Sequence, residues 1–248
     1  MSAYLRNTIP EFLATSEENL VGVLTTQTTS HELKIDQATE WQETTNLLKS
    51  ALGDICDRFD QAKSWGILLE YTIPLRQKRI DAVVLARDLI FVIEFKASNT
   101  HDAYARRQVE DYALDLRDFH AESNGRVIIP ILVARTAEME SKHTSRTTED
   151  AVRNVVLADA TNLASTMLAA FTQNSLPDRT PIDHEAWDNS QHQPIPTIIE
   201  AAQALYGGNS VEDIQHSHAD AHNLSTTTQC LVSAIRYARD NQRKVICF

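Results

Sequence analysis

The sequence predicts an α/β domain in which helices flank a mixed sheet, followed by a helical C-terminal extension. Short apolar runs rich in β-branched residues recur between residues 66 and 157, and stretches with helical periodicity separate them. Beyond residue 196 the pattern is mostly helical. Strands that alternate with helices inside one segment are typical of a mixed α/β domain.

The first half of the domain is predicted to be a long helix and three strands. Apolar residues at helical spacing indicate a helix from Asp36, a potential cap, to about Phe59, with Trp41, Leu48, Leu52 and Ile55 on one face. Three apolar runs follow, and Pro74 ends the first of them; they are Gly66–Ile73, Lys78–Ala86 and Leu89–Ala97. Because the last two are joined by a tight turn, they form an antiparallel hairpin.

The second half of the domain is predicted to alternate helices with two further strands. The segment His101–His120 is helical in pattern and contains neither Pro nor Gly. Val127–Val133 is apolar throughout, so we expect a strand buried on both faces. Pro130 within it requires a bulge or a missing ladder partner, because proline has no N–H. A fifth strand at Val152–Leu157 and a helix near Asn162–Gln173 complete the domain.

Composition divides the chain into three parts. We expect a domain at residues 1–173 and a linker at 174–196, which holds four prolines and many polar residues. Residues 197–248 form the extension, with helices near Thr197–Tyr206 and Ser225–Asn241 and a strand at Lys244–Phe248.

Bulk composition indicates a protein of the reduced cytoplasm. The 42% hydrophobic and 23% charged residues are ordinary for a globular domain, and no run is long and apolar enough to cross a membrane. Three cysteines, at positions 56, 230 and 247, are too few and too scattered for a disulfide frame or a zinc site.

The distribution of charge is more informative than its sum. The net charge of −11 argues against a surface that coats nucleic acid broadly. Residues 76–107, however, hold seven basic and four acidic side chains, a local charge of +3. Fluctuation of charge along the chain is the alternative explanation.

Charged residues interrupt both strands of the hairpin. Period-two geometry places Glu94 and Lys96 on one face of the third strand, and a suitable register would bring Asp81 to the same side. An unpaired carboxylate inside an apolar strand costs several kcal/mol, so these charges indicate function. Two carboxylates suit Mg²⁺, which takes water and phosphate oxygens as its other ligands, and a lysine beside it can hold or deprotonate water. This equipment suits the hydrolysis of a phosphodiester.

Weaker candidates for the same chemistry lie elsewhere. Glu70 interrupts the first strand and could be a third acidic ligand of the metal, or an edge-strand side chain that faces solvent. Glu43 on the long helix is a further acidic candidate, and it lies opposite the apolar stripe of that helix. The group His216, His218 and His222 reads as a solvated loop, because no carboxylate or cysteine lies at zinc spacing.

These motifs resemble the signature of the PD-(D/E)XK nuclease superfamily. Asp81, twelve intervening residues, then Glu94-Phe95-Lys96 match its core motif, and Gln108-Val-Glu-Asp-Tyr112 is similar to the QxxxY motif of the RecB-like branch. The likeness covers residues 37–160. It implies a restriction-endonuclease-like fold that cleaves nucleic acid, DNA in preference to RNA, with Mg²⁺ or Mn²⁺.

The resemblance also implies a role for each matched residue. Asp81 and Glu94 hold the metal, and Lys96 activates water. Gln108 and Tyr112, four apart and so on one helical face, orient the lysine or contact the nucleic-acid backbone. The rival interpretation is a catalytically weak nucleic-acid-binding or regulatory domain of the same fold.

The C-terminal region resembles the lead-in of bacterial Schlafen-type P-loop ATPase/helicase proteins. The likeness rests on three segments, 195–206, 223–228 and 243–248. It implies that an ATPase/helicase domain follows this chain in a longer protein of phage defence or DNA repair. The sequence itself contains no G-x-x-x-x-G-K-[ST] phosphate-binding motif.

Overall fold

The computed structural model describes residues 3–28, 37–73, 78–97, 102–134, 151–176 and 178–190. The chain divides into two units at residue 192, and all described residues lie in the first. The predicted C-terminal helices, the strand at 244–248 and the histidine group at 216–222 lie outside the described residues.

Six strands and six α-helices make up the described part of the chain. The strands are β1 (Leu5–Thr8), β2 (Gly66–Ile73), β3 (Lys78–Ala86), β4 (Leu89–Lys96), β5 (Val127–Ala134) and β6 (Val156–Ala158). The helices are α1 (Ile9–Ala14), α2 (Glu17–Gln27), α3 (Gln37–Arg58), α4 (Ala103–Phe119), α5 (Leu163–Asn174) and α6 (His184–Asp188). Two short 3₁₀ helices lie at Asp60–Ser64 and Ala121–Ser123.

The strands form one mixed sheet in the order β1-β2-β3-β4-β5-β6. Pairing is antiparallel from β1 to β4 and parallel from β4 to β6, with α4 in the connection between β4 and β5. The predicted α/β class, the hairpin and the flanking helices are confirmed, and the arrangement is compatible with a restriction-endonuclease-like fold. Among the described helices, none has the length and apolar content that a membrane crossing requires.

Two apolar clusters hold the sheet, one on each face. The first lies against α1, α2, α3 and α5, and the second against α4. The apolar stripe predicted on the long helix is confirmed. Four of its residues are buried in the first cluster: Trp41, Leu48, Leu52 and Ile55. Phe59, after the end of α3, packs against the same cluster. Helices on both faces explain why β5 is buried along its whole length.

Pro130 occupies a position where the neighbouring pairing is irregular. Ile128 donates its N–H to the carbonyl of Ala151, so the N of Pro130, two residues later, faces the same side of the strand. On that side the register passes from Ile128↔Val152 to Ile131↔Val156, which leaves one extra residue opposite the proline. The missing N–H therefore falls where the ladder is interrupted, as predicted.

The N-terminal elements β1, α1 and α2 were not predicted, because residues 1–36 are weakly periodic. A local signal for α1 is nevertheless present. Thr8 caps the helix: its hydroxyl accepts from Glu11 N (3.4 Å), and the Glu11 carboxylate accepts from Thr8 N (2.8 Å). The segment Thr-Ile-Pro-Glu thus contains a capping box with proline in the first turn.

The predicted linker is wrong in its described part, because residues 178–190 pack against the domain. Trp187 is fully buried in the second cluster, with its ring centroid 4.9 Å from that of Tyr71. Its indole N–H donates to Ser123 Oγ (3.0 Å). Asp188, also buried, accepts from Ala3 N (3.1 Å) and Arg6 Nη1 (3.2 Å). The prolines interrupt helix here without freeing the segment, so the domain extends to at least residue 190.

Trp187→Ala should lower the free energy of unfolding by about 3–5 kcal/mol, because it removes a large buried ring and leaves a cavity. Chemical denaturation measures the loss. Leu176→Ala in the same segment is the matched control, since Leu176 is 49% exposed and should change stability by about 0.5 kcal/mol or less. Equal, small effects of both substitutions would contradict this packing.

Candidate functional site

The candidate site lies where the sheet opens between β3 and β4. The ladder between these strands runs from Ala86↔Leu89 to Ala82↔Ile93 and stops there. Beyond that point β3 stays paired with β2, and β4 stays paired with β5. Asp81 is the first residue past the ladder on one side, and Glu94 is the first on the other.

A side-chain hydrogen bond spans the opening. Asp81 Oδ2 accepts the backbone N–H of Phe95 at 2.8 Å, in place of a backbone acceptor from β3. The carboxylate of Asp81 is thereby fixed beside the peptide that follows Glu94. The two acids therefore flank one opening, and the common face expected for Asp81 and Glu94 stays a prediction.

The alternation of side chains along β2 and β3 changes phase beside this opening. Ile80 and Ala82 belong to opposite apolar clusters, although a regular strand would place them on one face. In β2, Leu69 and Tyr71 on either side of Glu70 likewise belong to opposite apolar clusters. Glu70 itself has a positive φ of 52°. The register continues on both sides of the change, so Glu70 lies opposite Asp81.

Glu94 is held by a chain of hydrogen bonds that ends on α4. Its Oε1 accepts from Lys96 Nζ (2.8 Å) and from Gln108 Nε2 (2.7 Å), and Gln108 Nε2 also donates to the Tyr112 hydroxyl (2.8 Å). The predicted shared face of Glu94 and Lys96 is confirmed by this ion pair. The predicted shared face of Gln108 and Tyr112 is confirmed by their bond.

Burial and crowding disfavour the ionised forms of the two acids, whereas the ion pair with Glu94 favours the charged form of Lys96. Burial raises the pKa of Asp81 well above its usual range, and the charges of Glu94 and Glu70 add to the effect. Burial also raises the pKa of Glu94, although Lys96 opposes this. Burial lowers the pKa of Lys96, but the pairing with Glu94 outweighs it and the pKa is raised overall. Burial, reinforced by Glu94, raises the pKa of Tyr112 to about 12.

Glu70 is not the solvent-facing edge-strand side chain that one of the two sequence interpretations expected. It is buried on an inner strand, not exposed on an edge, and both carboxylate oxygens are engaged. Trp41 Nε1 donates to Oε1 and Arg79 Nε pairs with Oε2, each at 2.9 Å. These partners hold Glu70 in a left-handed backbone conformation that costs a non-glycine residue about 1–3 kcal/mol. Within the described ranges no three acidic, histidine or cysteine side chains are placed to hold one ion. A third-ligand role for Glu70 stays a prediction.

The remaining two carboxylates fit a small, hard cation. Glu94 is 3% exposed, and its Oε2 is buried with no hydrogen-bond partner among the described residues. A buried carboxylate oxygen without a partner is costly, and a cation would satisfy it. Mg²⁺ is commonly bound by one or two carboxylates and keeps several waters. Asp81 is half-buried, so such waters can reach the site.

Two basic residues of β3 border the site and were counted in the sequence only as part of the basic segment. Lys78 is exposed, and its ammonium lies 6.0 Å from the centre of the Tyr112 ring. Arg79 pairs with Glu70 and donates to the Tyr4 hydroxyl (2.6 Å). Their positions just before Asp81 on the same strand are the signal that could have identified them.

Comparisons of the chain with protein-family models, curated proteins and solved structures find no match. The geometry and electrostatics of the site, together with the motifs of the sequence, are therefore what indicates a function.

Mg²⁺ or Mn²⁺ should raise the melting temperature of the full chain, because a ligand that binds only the folded state stabilises it. At a concentration of 100 times Kd the gain is about 2.7 kcal/mol, or roughly 5–10 °C for a protein of this size. Glu94→Gln and Asp81→Asn should abolish this gain. Both should also raise the melting temperature without metal at neutral pH. Each removes a carboxyl group whose pKa is raised on folding, and ionisation of such a group at neutral pH destabilises the folded state.

Asp111→Asn is the matched control for the metal experiment. Asp111 is exposed on α4, directly before Tyr112, and its substitution removes the same charge. It should leave the metal-induced shift intact. A shift of equal size in Glu94→Gln would contradict the metal site.

Proposed function

We propose that this protein is a metal-dependent nuclease that hydrolyses phosphodiester bonds of nucleic acid. The observation that carries the proposal is the opening between β3 and β4, where Asp81, Glu94 and Lys96 meet with one carboxylate oxygen unpaired. The resemblance to PD-(D/E)XK nucleases supports it, because the geometry joins the residues of that motif. Gln108 and Tyr112 of the QxxxY motif reach the same site.

Asp81 and Glu94 would hold Mg²⁺ or Mn²⁺. When bound, such an ion acidifies a water ligand and stabilises charge on the phosphate. The protein prepares this site by fixing the Asp81 carboxylate on Phe95 N and by leaving Glu94 Oε2 unpaired. Crowding of the two acids disfavours their ionisation together, so a cation gains affinity from the repulsion it relieves.

Lys96 serves best as a charged donor in this geometry. Because its pKa is raised by the pairing with Glu94, it carries a proton at neutral pH. It can therefore orient the attacking water and offset charge on a phosphate oxygen. Its side chain is 31% exposed, which lets it meet a substrate at the mouth of the site.

Gln108 and Tyr112 position the acid. The amide of Gln108 donates to Glu94 Oε1 and thus orients the carboxylate so that Oε2 faces away from it. Tyr112 accepts the second N–H of the same amide, which fixes its rotamer. The chain from α4 to β4 thereby ties the geometry of the metal ligand to the packing of a helix.

The basic segment is the surface that suits a phosphate backbone. Lys78 lies beside Tyr112, and Arg106 and Arg107 lie on α4, the helix that carries Gln108, while the chain as a whole carries a charge of −11. Binding should therefore be local and dependent on salt. We propose DNA as the main substrate and a cytoplasmic setting. We further propose that an ATPase/helicase domain follows in a longer protein that acts in phage defence or DNA repair.

Lys96→Ala should lower the rate of cleavage of labelled DNA in Mg²⁺ by about 100-fold or more, because a charged group at the reacting phosphate is lost. Tyr112→Phe should cost about tenfold or less, since one neutral hydrogen bond is removed. Lys63→Ala is the matched control: Lys63 is 58% exposed, pairs with Asp60, and should not affect the rate.

The same assay with DNA, RNA, Mg²⁺, Mn²⁺ and EDTA separates the candidate functions. Cleavage that requires metal and Lys96 supports a nuclease. Binding without cleavage by the wild-type chain would favour the regulatory or binding domain of the same fold. Undiminished cleavage in Lys96→Ala would contradict the role of the lysine.

A further inference from the structure

Tyr104 is a large aromatic side chain left in solvent beside the candidate site. It is 74% exposed, more than any other large apolar residue in the part of the chain that the structure describes; the others are Val23 and Leu176. Isolated apolar residues on a surface are common, so exposure alone does not indicate a role. Its position on α4 decides the question.

Tyr104 lies on the ridge of α4 that forms the site. Residues 104, 108 and 112 follow at intervals of four, which places them along one side of the helix about 6 Å apart in rise. Gln108, the next member, bonds directly to Glu94. Tyr104 is thus one turn beyond the last site residue, toward the start of the helix.

The start of α4 lies close in the chain to the end of β4, because β4 ends at Lys96 and α4 begins at Ala103. Asp102 caps the helix by accepting from Ala105 N (2.8 Å). Tyr104 therefore lies in the first turn of α4, one turn before the Gln108 side chain that bonds to Glu94.

Two exposed cationic side chains lie on or beside α4. Arg107 and Lys78 are exposed, and Lys78 lies over the Tyr112 ring. Positive side chains suit a phosphate backbone, whereas an exposed aromatic ring offers a flat surface to a base. The surface next to the candidate site therefore offers cations for the phosphate and an aromatic ring for the base of a nucleotide.

We propose that Tyr104 stacks on an unpaired base next to the cleaved phosphate, and that the substrate is single-stranded or has a frayed end. The substrate class rests on the proposed nuclease function, although the stacking itself does not require cleavage. Bases inside a duplex are already stacked and cost a few kcal/mol to extrude, so a side-chain platform favours unpaired strands. Stacking is tolerant of sequence, because every base has a π face.

The test compares binding to strands with and without bases. Fluorescence anisotropy measures the affinity of the full chain for a labelled single-stranded oligonucleotide and for an abasic strand of equal length and charge. EDTA is present so that no hydrolysis occurs. We expect about tenfold tighter binding of the strand with bases, the typical effect of one stacked base.

Four variants identify the source of this preference. Tyr104→Ala should remove the preference, and Tyr104→Phe should keep it, since the ring is retained. Arg107→Glu should weaken binding of both strands by the same factor, because it acts on phosphates. Leu176→Ala, which also removes an exposed apolar side chain, should leave both affinities unchanged.

The outcomes separate stacking from catalysis. Equal affinity of the wild-type chain for the two strands, no detectable binding, or a preference that survives Tyr104→Ala would overturn the stacking proposal. Cleavage in Mg²⁺ combined with any of those results would support the nuclease function and exclude base stacking by Tyr104. A Tyr104-dependent preference in a chain that never cleaves would refute the nuclease and retain the stacking.

Discussion

The burial of Glu94 is the constraint on which the rest of the site depends. A carboxylate that is 3% exposed, between apolar neighbours on an inner strand, loses hydration worth several kcal/mol. Lys96 and Gln108 compensate one of its oxygens, and the other is left without a hydrogen bond. A domain selected for stability alone would place an apolar residue there, since a partly satisfied buried charge is worse than none. The metal site that we propose would give this costly residue a physical reason.

The fold keeps this costly arrangement in place by anchoring both sides of the opening. On the β4 side, α4 packs into the second apolar cluster and carries Gln108 to the acid. On the β3 side, the change of phase at Glu70 is held by Trp41 from α3 and by Arg79. The opening is therefore braced by helices on both faces of the sheet, which allows β3 and β4 to part without further loss of pairing.

Much of this architecture could be predicted because it follows local periodicity. The hairpin, the stripe of α3 and the shared face of Glu94 and Lys96 all depend on spacing within one element. The surroundings of Glu70 could not be predicted, because its positive φ and its two partners are set by residues distant in the chain. The packing of Trp187 was missed for the same reason: a segment with several prolines reads as a linker unless its tertiary contacts are known.

The position of a bound metal ion tests the central claim most directly. Anomalous diffraction from crystals of the full chain grown with Mn²⁺ would locate the ion without any assay of activity. The account predicts one strong peak in the opening between β3 and β4, within about 2.0–2.3 Å of oxygens of Asp81 and of Glu94 Oε2. Well-ordered density for both side chains with no peak between them, or a peak only elsewhere on the surface, would contradict it.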